Sequence, residues 1–95
     1  MICLHVLLKA KIPSDIHAIR DLLRQQGRLS RAEPGCLRFE VYQSQNDETR
    51  FILAERWESQ AALDEHRKAA AYTTIYQPKV LPLVDREPHP SVLVE

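Results

Sequence analysis

Of the side chains able to move a proton near neutrality, His66 is the leading base, because an unperturbed imidazole pKa of about 6.5 suits it to that task. Its alternative is a core histidine hydrogen-bonded to a strand. Trp57, in a stretch of alternating residues, offers a flat stacking wall and one N–H donor, with plain core packing as the other reading. Glu55 shares the parity of Phe51, Leu53 and Trp57, which sets a carboxylate against apolar neighbours. A carboxylate so placed is paired or functional, the bland version being a salt bridge to Arg38 or Arg56. Tyr72 can close a cavity with its hydroxyl or cap the helix packing. Phe39 and Arg38 lie on the neighbouring alternating segment, and His5 sits near the start of the chain.

Much chemistry is excluded by what is missing. With two glycines, Gly27 and Gly35, the chain has no glycine-rich phosphate loop. His5, His17, His66 and His89 are too scattered for a zinc signature, so no metal and no organic cofactor is expected. Thirteen basic residues balance thirteen acidic ones, which removes the field that draws a protein to nucleic acid or to an anionic membrane. Cys3 and Cys36 are far apart and outside any Cys-x-x-Cys pattern, and read as reduced, buried thiols. No basic leader or long apolar span opens the chain, so a cytoplasmic location is the default expectation.

The elements that must position these residues follow from hydrophobic period. At 95 residues the chain is expected to be one domain, 1–95. Ile2, Leu4, Val6 and Leu8 alternate as a first strand. After Pro13-Ser14-Asp15, Ile16, Ile19, Leu22, Leu23 and Leu29 recur at helical spacing, and the helix must end by Glu33 because Pro34 follows. Leu37, Phe39 and Val41 then alternate against Arg38, Glu40 and Tyr42, and the 51–57 stretch alternates again beyond the polar turn 45–48, which predicts a hairpin. Ser59 caps a second helix carrying Ala62, Leu63, His66, Ala69 and Ala70, renewed near Ala71 with its end blurred by Pro78 and Pro82. Ser91–Val94 reads as a short last strand after a Pro88-His89-Pro90 linker. The order βαββαβ is α+β, ferredoxin-like, with an antiparallel sheet. Helices cover one face of such a sheet, leaving Cys3, His5, Leu7, Ile52 and Ala54 on the other, where a partner sheet would cover them.

Glu33-Pro34-Gly35-Cys36-Leu37-Arg38-Phe39-Glu40-Val41-Tyr42-Gln43, with Arg50-Phe51, Glu55-Arg56-Trp57-Glu58-Ser59, Ala62-Leu63, His66 and Tyr72, resembles the antibiotic biosynthesis monooxygenase (ABM) family. The resemblance implies a homodimer, two sheets packed as a dimeric α/β barrel, and a cavity between sheet and helices in each subunit. It also implies cofactor-independent oxygenation of a small electron-rich aromatic, a quinol, phenol or anthrone, by O₂. Relatives that bind haem show an asparagine early in the first strand, and none precedes Asn46 here, so haem is not expected.

For such an oxygenation the protein must supply a base, an apolar cavity and a donor for the developing oxyanion. His66, Trp57 and Glu55 are the catalytic candidates, and Tyr72, Phe39, Arg38 and His5 the substrate-binding ones. Two other classes stay open: an isomerase or lyase shuttling protons between His66 and Glu55 on a small carbonyl or phosphorylated compound, and a non-catalytic dimeric binding module. Arginines lining the cavity favour the former; a buried His66 with no accessible neighbour favours the latter.

Overall fold

The computed structural model describes residues 1–95 and contains a four-stranded antiparallel sheet in the order β2-β3-β1-β4. The strands are β1 (Ile2–Ala10), β2 (Cys36–Gln43), β3 (Arg50–Trp57) and β4 (Val84–Ser91). Register fixes the faces: Leu4 pairs with Glu55, Val6 with Leu53 and Leu8 with Phe51, and this face is buried under the helices. Phe39 joins it through its pairing with Glu55. The opposite face carries His5 against Ala54, Leu7 against Ile52, and Arg38 against Arg56.

Helix α1 (Ile16–Arg31) begins after a 3-10 turn at Pro13–Asp15 and stops where Pro34 forbids its continuation. Its buried stripe is Ile19, Leu23, Gln26 and Ser30, not the all-apolar stripe ending at Leu29, which is exposed. This stripe buries an amide and a hydroxyl, those of Gln26 and Ser30. In β2 a register irregularity between Cys36 and Arg38 turns Leu37 outward, so Leu37 does not continue the inward row of buried Phe39 and half-buried Val41.

Helix α2 (Gln60–His66) is capped as its sequence requires, Ser59 Oγ accepting from Ala62 N–H at 3.2 Å. A helical segment of wide turns, α3 (Ala71–Val80), follows. Leu81 N–H donates to Tyr76 O, five residues back, so the wider turn tolerates Pro78, which has no N–H to give. α1 packs against α3 and β2.

The last strand runs over Val84–Ser91, starting seven residues earlier than the apolar run predicted, and Val92–Val94 lies beyond it, exposed. The prolines that suggested a linker sit inside the strand, paired with β1 as Leu4 with Pro90 and Val6 with Pro88. They are tolerated because β4 is an edge: nitrogens two residues apart face the same side, and the outer side needs no donors. Both cysteines are free and half-buried rather than fully buried. No helix is long and apolar enough to cross a membrane.

Candidate active site

Trp57 ends β3 fully buried. Its Nε1–H donates to Glu55 Oε1 at 3.0 Å, so the two inward side chains of the strand satisfy each other. Glu55 is 6% exposed. Burial pushes its carboxyl above the ordinary glutamate range, against the lowering effects of the Trp57 hydrogen bond and the nearby His66, Arg86 and Arg67. The salt bridge to Arg38 or Arg56 does not form, because register puts both arginines on the other face.

His66, the last residue of α2, is 4% exposed and its ring lies against Trp57 with centroids 4.4 Å apart. Phe39 lies 5.9 Å away and Tyr72 meets the ring edge-on at 5.8 Å. Nδ1 is 2.7 Å from Glu33 Oε1. A carboxylate only accepts, so Nδ1 carries the hydrogen and donates it. That bond leaves the Nε2 lone pair as the basic site, and the two ring nitrogens point to different sides of the imidazole.

Glu33 is held in place by a local device. It precedes Pro34-Gly35, and Gly35 has φ +80°, a left-handed conformation that favours glycine. Gly35 O accepts from Glu58 N–H at 2.8 Å, locking the turn to the end of β3, while a Cβ on Gly35 would come within 2.5 Å of Ala62 Cβ. The turn can therefore lie directly on α2, which brings Glu33 to His66.

Two openings reach His66. One is an outer groove of about 440 Å³, lined by Pro34, Gly35, Ala61, Ala62 and Ala69 with Glu33, Glu58 and Glu65 at its sides. The other is an inner chamber of only about 10 Å³, between helices and sheet, lined by Leu4, Gln26, Glu55, Leu63, His66, Arg67, Tyr72, Tyr76 and Arg86. The groove is larger, but Glu33 already occupies the ring nitrogen on that side. The chamber holds the polar groups able to act on a reactant: Glu55, Tyr72, Tyr76 and the two arginines. In it Arg86 Nε–H donates to Tyr76 Oη at 3.0 Å, and burial raises the Tyr76 hydroxyl above its usual range.

The residues singled out from sequence divide cleanly. His66, Trp57, Glu55, Tyr72 and Phe39 converge. Arg38 and His5 do not: Arg38 pairs with Glu40 on the outer face at 2.6 Å, and His5 Nδ1 is 3.0 Å from Ser91 Oγ on that same face. Neither lines the chamber. Glu33, Gln26, Tyr76 and Arg86 were missed. Gln26 sits in a helix whose inner face is marked in sequence by its apolar members alone, and Arg86 precedes the apolar run that marks the last strand. Only Glu33 carried a signal, its place before Pro34-Gly35.

Residues 1–77 match the model of a family described as antibiotic biosynthesis monooxygenase. The chain belongs to that family. Among ABM relatives, a Mycobacterium tuberculosis protein named "Putative monooxygenase Rv0793" is 37% identical over 81 residues, covering 85% of this chain and 78% of the relative. The solved structure of Rv0793 superposes with a TM-score of 0.82 at 29% identity, over all of this chain and 98% of that one. A structure from Nitrosomonas europaea, named for the same family, gives a TM-score of 0.86 at 23% identity, covering 98% of this chain and 99% of its own, and shares the ABM fold.

Proposed function

We propose that this ABM protein is a cofactor-independent monooxygenase acting on a small electron-rich aromatic hydroxyl compound, whose reacting hydroxyl oxygen is seated in the inner chamber. The observation that carries the reading is the Glu33–His66–Trp57 arrangement. Glu33 fixes one imidazole nitrogen at 2.7 Å, Trp57 fixes the ring plane, and the remaining nitrogen is a positioned base.

The chemistry balances without a further reductant. His66 Nε2 takes the hydroxyl proton, leaving an electron-rich oxyanion. That anion passes one electron to O₂, and the resulting radical pair joins to form a C–O bond as a peroxide. Loss of water from the peroxide leaves one oxygen atom in the product. The second oxygen leaves as water, carrying two hydrogens from the substrate. Glu55 stands beside Trp57 to exchange the second proton, and Tyr72, Arg67 and Arg86 face the developing anion. Oxygen uptake with a panel of hydroquinones, phenols and anthrones tests this. An active wild type with a strongly impaired His66→Gln variant is expected, and an inert wild type overturns the assignment.

The same proposal includes a homodimer built through the outer sheet face. Leu7 and Ile52 are only half-buried there, and the outward-facing Arg56 keeps a buried Nε with no acceptor. A partner sheet supplies both cover and acceptors, and a stable interface of this kind buries on the order of 1,200 Å² or more.

Arg67 and Arg86 at the chamber favour one other reading, an isomerase or lyase acting on a small anionic carbonyl compound with His66 and Glu55 as the proton-transfer pair. Turnover of such compounds without oxygen consumption distinguishes it.

A further inference from the structure

The chamber contains one polar side chain that neither the mechanism nor a hydrogen bond engages. Gln26, on the buried stripe of α1, is 1% exposed, lines the chamber, and its Oε1 has no hydrogen-bond partner. An amide oxygen buried without a partner is costly, so an orphan acceptor on a residue that lines a cavity marks a place where a ligand completes the bonding.

The groups around it narrow the ligand. Oε1 can only accept, so the incoming atom must bring a hydrogen. The free space, about 10 Å³, is the size of one oxygen with its hydrogens. His66 lines the same chamber and needs a proton donor for the same reaction. Leu4 and Leu63 leave the remaining wall apolar.

We propose that Gln26 is the specificity-determining residue of the site: its Oε1 accepts an O–H hydrogen from the substrate oxygen seated in the chamber, so that aromatic alcohols bind and their methyl ethers do not. The inference rests on the chamber being the reaction site. It adds that the hydroxyl is selected at binding, by an α1 residue, before any proton is removed. A methyl ether of the same ring leaves the Gln26 oxygen unpaired and brings a methyl group too large for the space. With that oxygen in place, the ring lies toward Tyr72, Arg67 and Arg86, which line the same chamber.

Binding can be read without turnover, because Trp57 is the only tryptophan and lies against His66. The probes are hydroquinone and 1,4-dimethoxybenzene under anaerobic conditions, followed by Trp57 fluorescence and by calorimetry. The wild type is expected to prefer hydroquinone by about tenfold or more, the scale of one buried hydrogen bond plus the steric mismatch. Gln26→Leu is expected to reduce that preference to within roughly twofold. A wild type that binds both probes equally, or neither, overturns the proposal, as does a Gln26→Leu protein that keeps the preference. Should that variant fail to fold, the Gln26 side-chain amide signal in the wild-type NMR spectrum decides instead. It must shift with hydroquinone and stay put with the ether. Selective binding with no oxygen uptake leaves Gln26 in its role and removes the monooxygenase, whereas uptake with no Gln26 effect does the reverse.

Discussion

Glu33 and His66 stand 33 positions apart in the chain and 2.7 Å apart in space, one just after α1 and the other at the end of α2. The bond sets which imidazole nitrogen is free, and so it sets the direction in which the base can act. Glu33→Gln keeps the shape but exchanges an obligate acceptor for an amide that can also donate, so the tautomer is no longer imposed. Turnover is expected to fall by roughly 10²-fold or more, within the range for an impaired general base. His66 Nδ1 and Nε2 shifts in a nitrogen NMR spectrum show directly whether the tautomer has changed, and an unchanged tautomer with unchanged turnover refutes this role.

His66→Ala is expected to cost stability as well as activity. Neighbouring alanines suggest a tolerant surface site, but the ring is buried against Trp57 and is the partner of Glu33. Truncation leaves a cavity and a half-buried carboxylate without its donor, together costing about 2–4 kcal/mol. Thermal melts check this. His66→Gln, which retains volume and one donor, should recover part of the stability and little of the rate.

Gly35→Ala is expected to be among the most damaging single-methyl changes in the chain. It places a side chain at φ +80° and drives a Cβ to within 2.5 Å of Ala62 Cβ. The left-handed conformation alone costs about 1 kcal/mol or more. Adding Ala62→Gly removes the collision but not the backbone strain, so the double variant should melt between Gly35→Ala and wild type. Equal melting of the single variant and wild type contradicts the geometry.

Glu55 gives a pH signature. Burial raises its folded-state pKa above the ordinary value of 4.5, so the folded protein holds that proton more tightly than the unfolded chain. The group's contribution is fully present below the unfolded pKa and is lost as pH rises through the folded one. Glu55→Gln keeps an oxygen for the Trp57 N–H and has nothing to ionise. Its melting temperature relative to wild type should therefore rise from acid toward neutral pH, and a difference that stays flat overturns the assignment.

The dimer is checked by light scattering at micromolar protein. Replacing Ile52 on the outer face with Glu is expected to yield monomer while leaving the inner core intact. A wild-type monomer rules out face-to-face pairing.

The strands β1 to β3 and helix α1 were legible because a period of two or of 3.6 survives in their apolar residues. Of the buried polar residues of the site, those that visibly interrupt that pattern were the legible ones. Glu55 announces itself as a charge on the parity of Phe51 and Leu53, and the structure buries it there. Gln26 does not, since one amide on an amphipathic helix looks like solvent surface until the true stripe is known. Arg38 shows the opposite failure: its residue type fits a binding site, but register sends it to the far face. The strand β4 was displaced because prolines outweigh every local signal for extension, and only its position at the sheet's edge makes them acceptable. Glu33 belongs to a pairing between distant segments, and nothing in its neighbourhood names His66 as its partner.

Those same prolines decide how copies of this chain can add to one another. An open sheet edge is a template for another strand, and edge-to-edge addition leaves a fresh edge at every step, so it does not end. Along β4, Pro88 and Pro90 have no hydrogen to offer the next strand. Growth in that direction is interrupted at two successive outward positions. Face-to-face association uses up the surface it joins and stops at two copies. The chain thus disfavours the filament and leaves the finite particle.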